Sequence, residues 1–368
     1  MKMEITGKIT GIKYKLILSD ELKEIELNKF DINTAPPTCL LKNEKNIFAI
    51  SKWVSPKRTR SYPFERVYNS LKINKKITVI PIIKDEGAKG DRDFIQWDTV
   101  SLMSLLDVFV IFAYYEKADV NPKNKNKISN QKFDNKYVNS KVKEIEQYHS
   151  SALHWNLNEL KTNLHFVIDK TKTSYNSIEK QTKVKLHKFS GIDSFKEKIG
   201  KDVSLFMDFS RGKAKMAQAR EFLTTQPKES LSSLSKSKIS ILNYLGGQYF
   251  LTVDEIEISN NKISLIEGKH SKDNLIPSKS DIKDGLIKMI LYCNLKNISV
   301  NGKRMRCEPV LCLTSTKLKG SVTSKNNLNE IKKYFEKNKL SPLQIALINE
   351  VIKESKANKF TLKLKYSK

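Results

Sequence analysis

Residues Tyr249–Ser271 read YFLTVDEIEISNNKISLIEGKHS. Two runs rich in Ile, Leu and Val flank Asn260-Asn261. Asparagine tolerates the left-handed backbone of tight turns, so the stretch predicts a β-hairpin. Counting outward from the turn pairs Ser259 with Lys262, Ile258 with Ile263, Ile256 with Leu265 and Asp254 with Glu267. Side chains alternate along a strand. Asp254, Ile256 and Ile258 therefore share a face with Ile263, Leu265, Glu267 and Lys269. Glu255, Glu257 and Gly268 fall on the other face. If the register slips by one, Glu255 takes the place of Asp254.

Two carboxylates opposed on neighbouring strands repel, and one of them is driven toward protonation. A hard divalent cation removes that penalty, because Mg²⁺ binds one or two carboxylates and keeps its waters. A lysine beside such a pair can orient or deprotonate water. Asp254, Glu267 and Lys269 thus suggest metal-assisted hydrolysis of a phosphate ester.

Asp254, thirteen residues to Glu267, then Gly268 and Lys269, on a hairpin, resembles the PD-(D/E)XK nuclease motif. Val253 stands where that family often has proline. The elements around the motif extend the resemblance over about Ser230–Leu313. Residues 229–245 are expected to form a helix stopped by Gly246-Gly247. After the hairpin, Ser280 is expected to cap an amphipathic helix, Asp281–Cys293, with Ile282, Leu286, Met289, Ile290 and Cys293 inward. A turn at Asn301-Gly302-Lys303 leads to an apolar strand, Cys307–Leu313. This α-β-β-α-β order is similar to the superfamily's core. The resemblance implies Mg²⁺, or another divalent ion such as Mn²⁺, held by Asp254, Glu267 and the carbonyl of Gly268. It implies a water-activating role for Lys269.

The 368-residue chain has 39% hydrophobic and 29% charged residues, so it is expected to be globular. Its net charge of +27 calls for an acidic partner, with double-stranded DNA the leading class. Cys39, Cys293, Cys307 and Cys312 form no CxxC pair, which fits reduced thiols and a cytoplasmic setting. No apolar run is long enough for a membrane span, and the first residues lack the apolar core of a signal peptide.

The expected fold is mixed α/β: a restriction-endonuclease-like core of a central mixed sheet flanked by helices, with an N-terminal β-rich α/β domain. That domain is placed at residues 1–118 and assigned to DNA recognition. Strands are expected at 46–54, 77–83 and 108–115, with a helix at 94–106. The acids Asp85, Glu86, Asp91, Asp93 and Asp98 suit a hydrated loop better than a metal site. Residues 119–143, rich in Lys and Asn, read as a basic linker. Residues 144–368 make up the nuclease-like domain with a helical insertion. Within it, Leu153, Leu157, Leu160, Leu164 and Val167 form an apolar stripe, suited to core packing or to a homodimer seam. Ser341-Pro342 starts a late helix, and Phe360–Tyr366 alternates like a last strand.

Three basic groups are candidate phosphate contacts. Lys52, Lys57, Arg58 and Arg60 lie in and beside a Pro-bounded segment with Trp53 and Tyr62. Arg211 and Lys213 precede an expected helix that carries Ala214, Ala217, Phe222 and Leu223, and Lys215 lies at its start. Lys279 and Lys283 lie on the helix after the hairpin, with Lys288 further along it. The chain therefore reads as a Mg²⁺-dependent, sequence-specific DNA endonuclease of the type II restriction kind, for which a DNA methyltransferase encoded nearby is the expected companion. A repair or CRISPR-associated nuclease of the same superfamily, and a DNA-binding protein without catalysis, are the alternatives.

Overall fold

The computed structural model describes residues 4–44, 46–56, 67–199, 202–212 and 237–367. The protein is mixed α/β, about 38% helix and 30% strand, with several mixed sheets. It forms two compact units, Met1–Asp20 with Ala214–Lys368, and Glu21–Lys213. This departs from the expected division at 118 and 143. The first strand, β1 (Ile5–Ile9), pairs within the unit that contains the C-terminus. Its following segment is held there by Glu354, which is buried and accepts from Tyr14 Oη, Ile17 N and Leu18 N at 2.7–2.9 Å.

The Glu21–Lys213 unit is built on a five-stranded sheet. Its strands are β2 (Glu24–Glu26), β3 (Thr38–Lys42), β4 (Ile47–Lys52), β5 (Lys76–Pro81) and, after a hairpin and a helix, β8. The hairpin is β6 (Ile83–Asp85) and β7 (Arg92–Phe94), the helix is α1 (Trp97–Leu105), and β8 is Val108–Ala113. β5 and β8 are buried along their whole length and run parallel, as continuous apolar runs do in a covered sheet. Pro81 is the last residue of β5, consistent with its lack of a ladder donor.

The expected linker is folded. β9 (Tyr115–Val120) and β10 (Ile128–Phe133) pair antiparallel, and α2 (Asn135–Glu146) follows. The abundance of Lys and Asn hid a few well-placed apolar residues: Ile128, Phe133, Val138, Val142 and Ile145 are all buried. Asp134 caps α2 by accepting from Tyr137 N.

The expected leucine stripe is divided at Asn163 between α3 (Ala152–Thr162) and α4 (Leu164–Thr182). In α3 the buried side is Trp155, Asn156, Glu159 and Leu160, while Leu153 and Leu157 are only half-buried. Asn156 accepts from Val110 N and donates to Val108 O, and Trp155 Nε1 donates to Val110 O. These side chains occupy backbone groups of β8 that its ladder leaves open. α5 (Ser190–Ile199) and a helical stretch at 203–212 complete the unit as described.

The other unit continues with β11 (Ser237–Asn243), β12 (Gln248–Val253), β13 (Glu255–Ser259) and β14 (Lys262–Ser271). After α6 (Lys279–Cys293) come β15 (Lys296–Val300), β16 (Lys303–Arg304), β17 (Arg306–Ser315) and β18 (Ser321–Thr323). The chain ends with α7 (Leu328–Lys337), α8 (Pro342–Asn358) and β19 (Thr361–Tyr366). One sheet has the order β12-β11-β1-β15-β16, the second β13-β14-β17-β19-β18. β14, β17 and β19 run parallel, and β13 and β18 close the edges antiparallel.

The helix expected over 229–245 is not what residues 237–243 form. They make strand β11, parallel to β1 and antiparallel to β12. Ile239 and Ile241 are both buried, a period of two that requires β1 from the far end of the chain as partner. The part of that expectation at 229–236 lies outside the described residues. The helix after the hairpin starts two residues earlier than expected. Ser278, not Ser280, is its cap: the Ser278 hydroxyl accepts from Asp281 N. α7, capped by the Asn327–Glu330 box, had no counterpart among the sequence expectations.

Candidate active site

The hairpin turn is as the sequence implies, with Asn260 at φ 42° and Asn261 at φ 63°. The register counted outward from it holds, Ser259 to Lys262, Ile258 to Ile263 and Ile256 to Leu265. Its first strand is not continuous. Asp254 lies at the break between β12, which belongs to one sheet, and β13, which belongs to the other. There its Oδ2 accepts from Gly268 N at 3.0 Å. Asp254 is thus set against the second strand of the hairpin at Gly268, outside the β13–β14 ladder, which ends with Glu255 opposite Ile266. A Cβ on Gly268 would stand an ordinary 3.7 Å from Asp254 Oδ2, so glycine is not forced there by space.

Glu267 is only 1% exposed. It shares a face of β14 with the buried Ile263 and Leu265 and pairs with Leu311 of β17. α6, which follows β14 and precedes β15, β16 and β17, packs against both β14 and β17. The approach is close at Gly285: a Cβ there would meet Leu311 Cδ1 at 2.5 Å and Lys269 Cε at 3.4 Å. A larger residue would lift the helix or displace both side chains.

α6 brings three polar residues to the site, at positions 284, 288 and 292, four residues apart and so on one helical face. Lys288 Nζ donates to Glu267 Oε2 at 2.6 Å. Lys269 Nζ lies 3.1 Å from Glu267 Oε1 and also donates to Asp284 Oδ2. Tyr292 is buried, its hydroxyl has no hydrogen-bond partner among the described residues, and Glu267 and Asp254 are the carboxylates whose charges act on it.

Burial pushes the Glu267 carboxyl up, to about 7, against the pull of Lys288, with Asp254 adding to the rise and Lys269 opposing it. Withdrawal from water and a neighbouring carboxylate together outweigh two ammonium groups. Burial works against the charge on Lys269, but Glu267 and Asp284 prevail and hold its ammonium above the ordinary lysine value.

The predicted phosphate contacts are placed as follows. Lys52 is half-buried in β4 and donates to the carbonyls of Ile32 and Asn33 at 2.6 and 3.3 Å, so it ties strand to loop. Lys283 is buried and donates to Asp20, which Lys279 also reaches at 2.8 Å. Burial works against the charge on Asp20, but these two lysines hold its carboxyl below the usual range. The Lys283 ammonium is therefore committed inside the unit, where the sequence suggested that it faces phosphate, while Lys279 is exposed. Arg211 pairs with Asp208 at 3.2 Å. Lys57, Arg58, Arg60, Lys213 and Lys215 lie outside the described residues or their side chains do. Of the acidic loop, Asp85 is buried, accepts from Gly87 N and pairs with His187 Nδ1 at 2.9 Å.

Sequence reasoning missed Asp284 and Tyr292, and placed Lys288 toward phosphate. The four-residue spacing of Asp284, Lys288 and Tyr292, the last two set among the apolar residues of the helix's second half, was the available signal. Which of Lys283 and Lys288 reaches Glu267 depends on the rotation of α6, and Gly285 sets that by allowing close approach.

Asp254 and Glu267 are the oxygen donors at hand for a cation. Among the described residues, no group of three or more His, Cys, Asp or Glu side chains is arranged to hold a metal. Two carboxylates suffice for Mg²⁺, which retains water. A buried acid crowded by a second acid fits a site whose carboxylates are completed by a bound cation. Comparisons with protein-family models, with curated proteins and with solved structures returned no match. Among the described residues, no helix is long and apolar enough to cross a membrane.

Proposed function

We propose that this chain is a divalent-metal-dependent, sequence-specific DNA endonuclease of the restriction type. The observation that carries the reading is the buried Glu267, held between Lys269 and Lys288 with Asp254 at the adjoining strand break. Hairpin, crossover helix and parallel strand stand in the β-β-α-β order of a PD-(D/E)XK core. β11 occupies residues where a leading helix was expected, so the likeness rests on those four elements.

In this reading Asp254 and Glu267 hold Mg²⁺ or Mn²⁺, with the carbonyl of Gly268 as a further oxygen. The cation supplies charge stabilisation for the phosphate and a more acidic water. Lys269 orients the attacking water and offers positive charge to the phosphate oxygens, while Asp284 keeps that ammonium in place. The water oxygen joins phosphorus, the bond from phosphorus to the 3′ oxygen breaks, and a proton ends on that oxygen. The products are 5′-phosphate and 3′-hydroxyl ends. The net charge of +27 supports double-stranded DNA as substrate through phosphate contacts.

The test incubates the protein with duplex DNA of varied sequence, with Mg²⁺, Mn²⁺ or EDTA. Discrete metal-dependent fragments are expected, and loss of cleavage by about 100-fold or more in Glu267→Ala and Lys269→Ala. Cleavage that persists in both variants refutes the site. Tight DNA binding with no cleavage under any metal supports a binding protein instead.

A further inference from the structure

Tyr292 is not needed to hold the metal-free site together. Glu267 already has an N–H donor on each oxygen, Lys269 on Oε1 and Lys288 on Oε2. Asp254 Oδ2 has Gly268 N. Yet Tyr292 sits on the same face of α6 as Asp284 and Lys288, fully buried, with its hydroxyl unpaired among the described residues. A buried hydroxyl without a partner is unfavourable, and a purely apolar Phe fills the same space without that penalty. Tyr334 also has an unpaired buried hydroxyl, but burial alone acts on it. On Tyr292 burial acts first and then the charges of Glu267 and Asp254, and all three keep the phenol an O–H donor.

Resting on the nuclease reading above, we infer that Tyr292 is a positioning residue of the cation-loaded site, donating its hydrogen bond to the Asp254–Glu267 carboxylate pair. A divalent cation competes with the ammonium groups for the carboxylate oxygens. Lys269 retains Asp284 as a partner when it yields. Glu267 then lacks the ammonium donors that oriented it, and the hydroxyl of Tyr292 is a buried donor on the same face of α6 as Asp284 and Lys288. Outer hydrogen bonds of this kind orient metal-binding side chains and contribute substantially to affinity.

Tyr292→Phe removes one oxygen and almost no packing volume, and it separates this role from a structural one. Three measurements are made: melting temperature in EDTA, Mn²⁺ binding by paramagnetic resonance without nucleic acid, and cleavage kinetics with Mg²⁺. Unchanged or raised melting in EDTA is expected, with Mn²⁺ affinity about 10-fold weaker. The turnover rate is expected to fall about 10-fold with KM for DNA unchanged, as for a group that acts only in the assembled site. Mn²⁺ affinity equal to the parent's, or melting lowered by several degrees in EDTA, overturns the inference. A parent protein that cleaves normally while the variant is indistinguishable from it also overturns the inference and leaves the nuclease reading standing. Weakened Mn²⁺ binding by the variant, in a protein that cleaves no DNA, supports the inference and ends the nuclease reading.

Discussion

Glu267→Gln tests the electrostatics of the site without reference to any substrate. In the folded protein the carboxyl is raised from 4.5 to about 7. Between those values the folded state keeps a proton that the unfolded chain releases. The stability this group contributes is therefore greatest below pH 4.5, falls as pH rises, and levels off above pH 7. At about 1.4 kcal/mol per pKa unit, the loss from this group is about 3 kcal/mol. Glutamine keeps the shape and cannot titrate. The assay is denaturant unfolding in EDTA from about pH 4.5 to about pH 8.5, a range that spans both values, read as the difference between parent and variant. Groups common to both cancel in that difference. The parent is expected to lose about 3 kcal/mol relative to Glu267→Gln across the range. Saturating Mg²⁺ at about pH 8 is expected to restore stability to the parent only, since a cation favours the ionised carboxylate. Parallel pH profiles for the two proteins would refute the argument that burial and Asp254 overcome the two lysines.

Two further substitutions probe the frame around the site. Gly285→Ala gains about 1 kcal/mol of helix propensity but drives a methyl group into Leu311 and against Lys269. A net destabilisation of about 1–2 kcal/mol and a reduced cleavage rate are expected, read by denaturant unfolding and DNA cleavage. A variant more stable than the parent would show that α6 is not held at its closest approach there. Glu354→Ala leaves Ile17 N and Leu18 N without their acceptor, at a cost of about 2–5 kcal/mol. Trypsin is then expected to cut at Lys13 and Lys15 much faster than in the parent, and an unchanged digestion pattern would show that another contact anchors this segment.

Nearest-neighbour chemistry made the hairpin legible. Asn260 and Asn261 favour the left-handed turn, and alternation of Ile with polar residues on either side does the rest. The face shared by Glu267 and Lys269 follows from that count, since a strand's period is two regardless of what it packs on. Capping was legible at Ser341-x-x-Gln344, which satisfies its own backbone donors, whereas the cap expected at Ser280 is supplied by Ser278. The buried runs of β5 and β8 announced themselves by continuous apolar residues.

Distant partners decided the remainder. Residues 237–243 suit either a helix or a strand, and only pairing with β1, at the opposite end of the chain, selects the strand. The same pairing and the Glu354 contacts move Met1–Asp20 into the C-terminal unit, which no local composition could reveal. Residues 119–143 looked too polar to fold, yet Ile128, Phe133, Val138 and Val142 find a core supplied by other segments. At the site, sequence specified the carboxylates and one lysine. The sheet break at Asp254, the rotation of α6 on Gly285, and the resulting choice of Asp284, Lys288 and Tyr292 over Lys283 depend on side chains packed from different elements. Turn and strand periodicity are properties of consecutive residues, whereas the surroundings of a buried charge are set by whatever the fold brings against it.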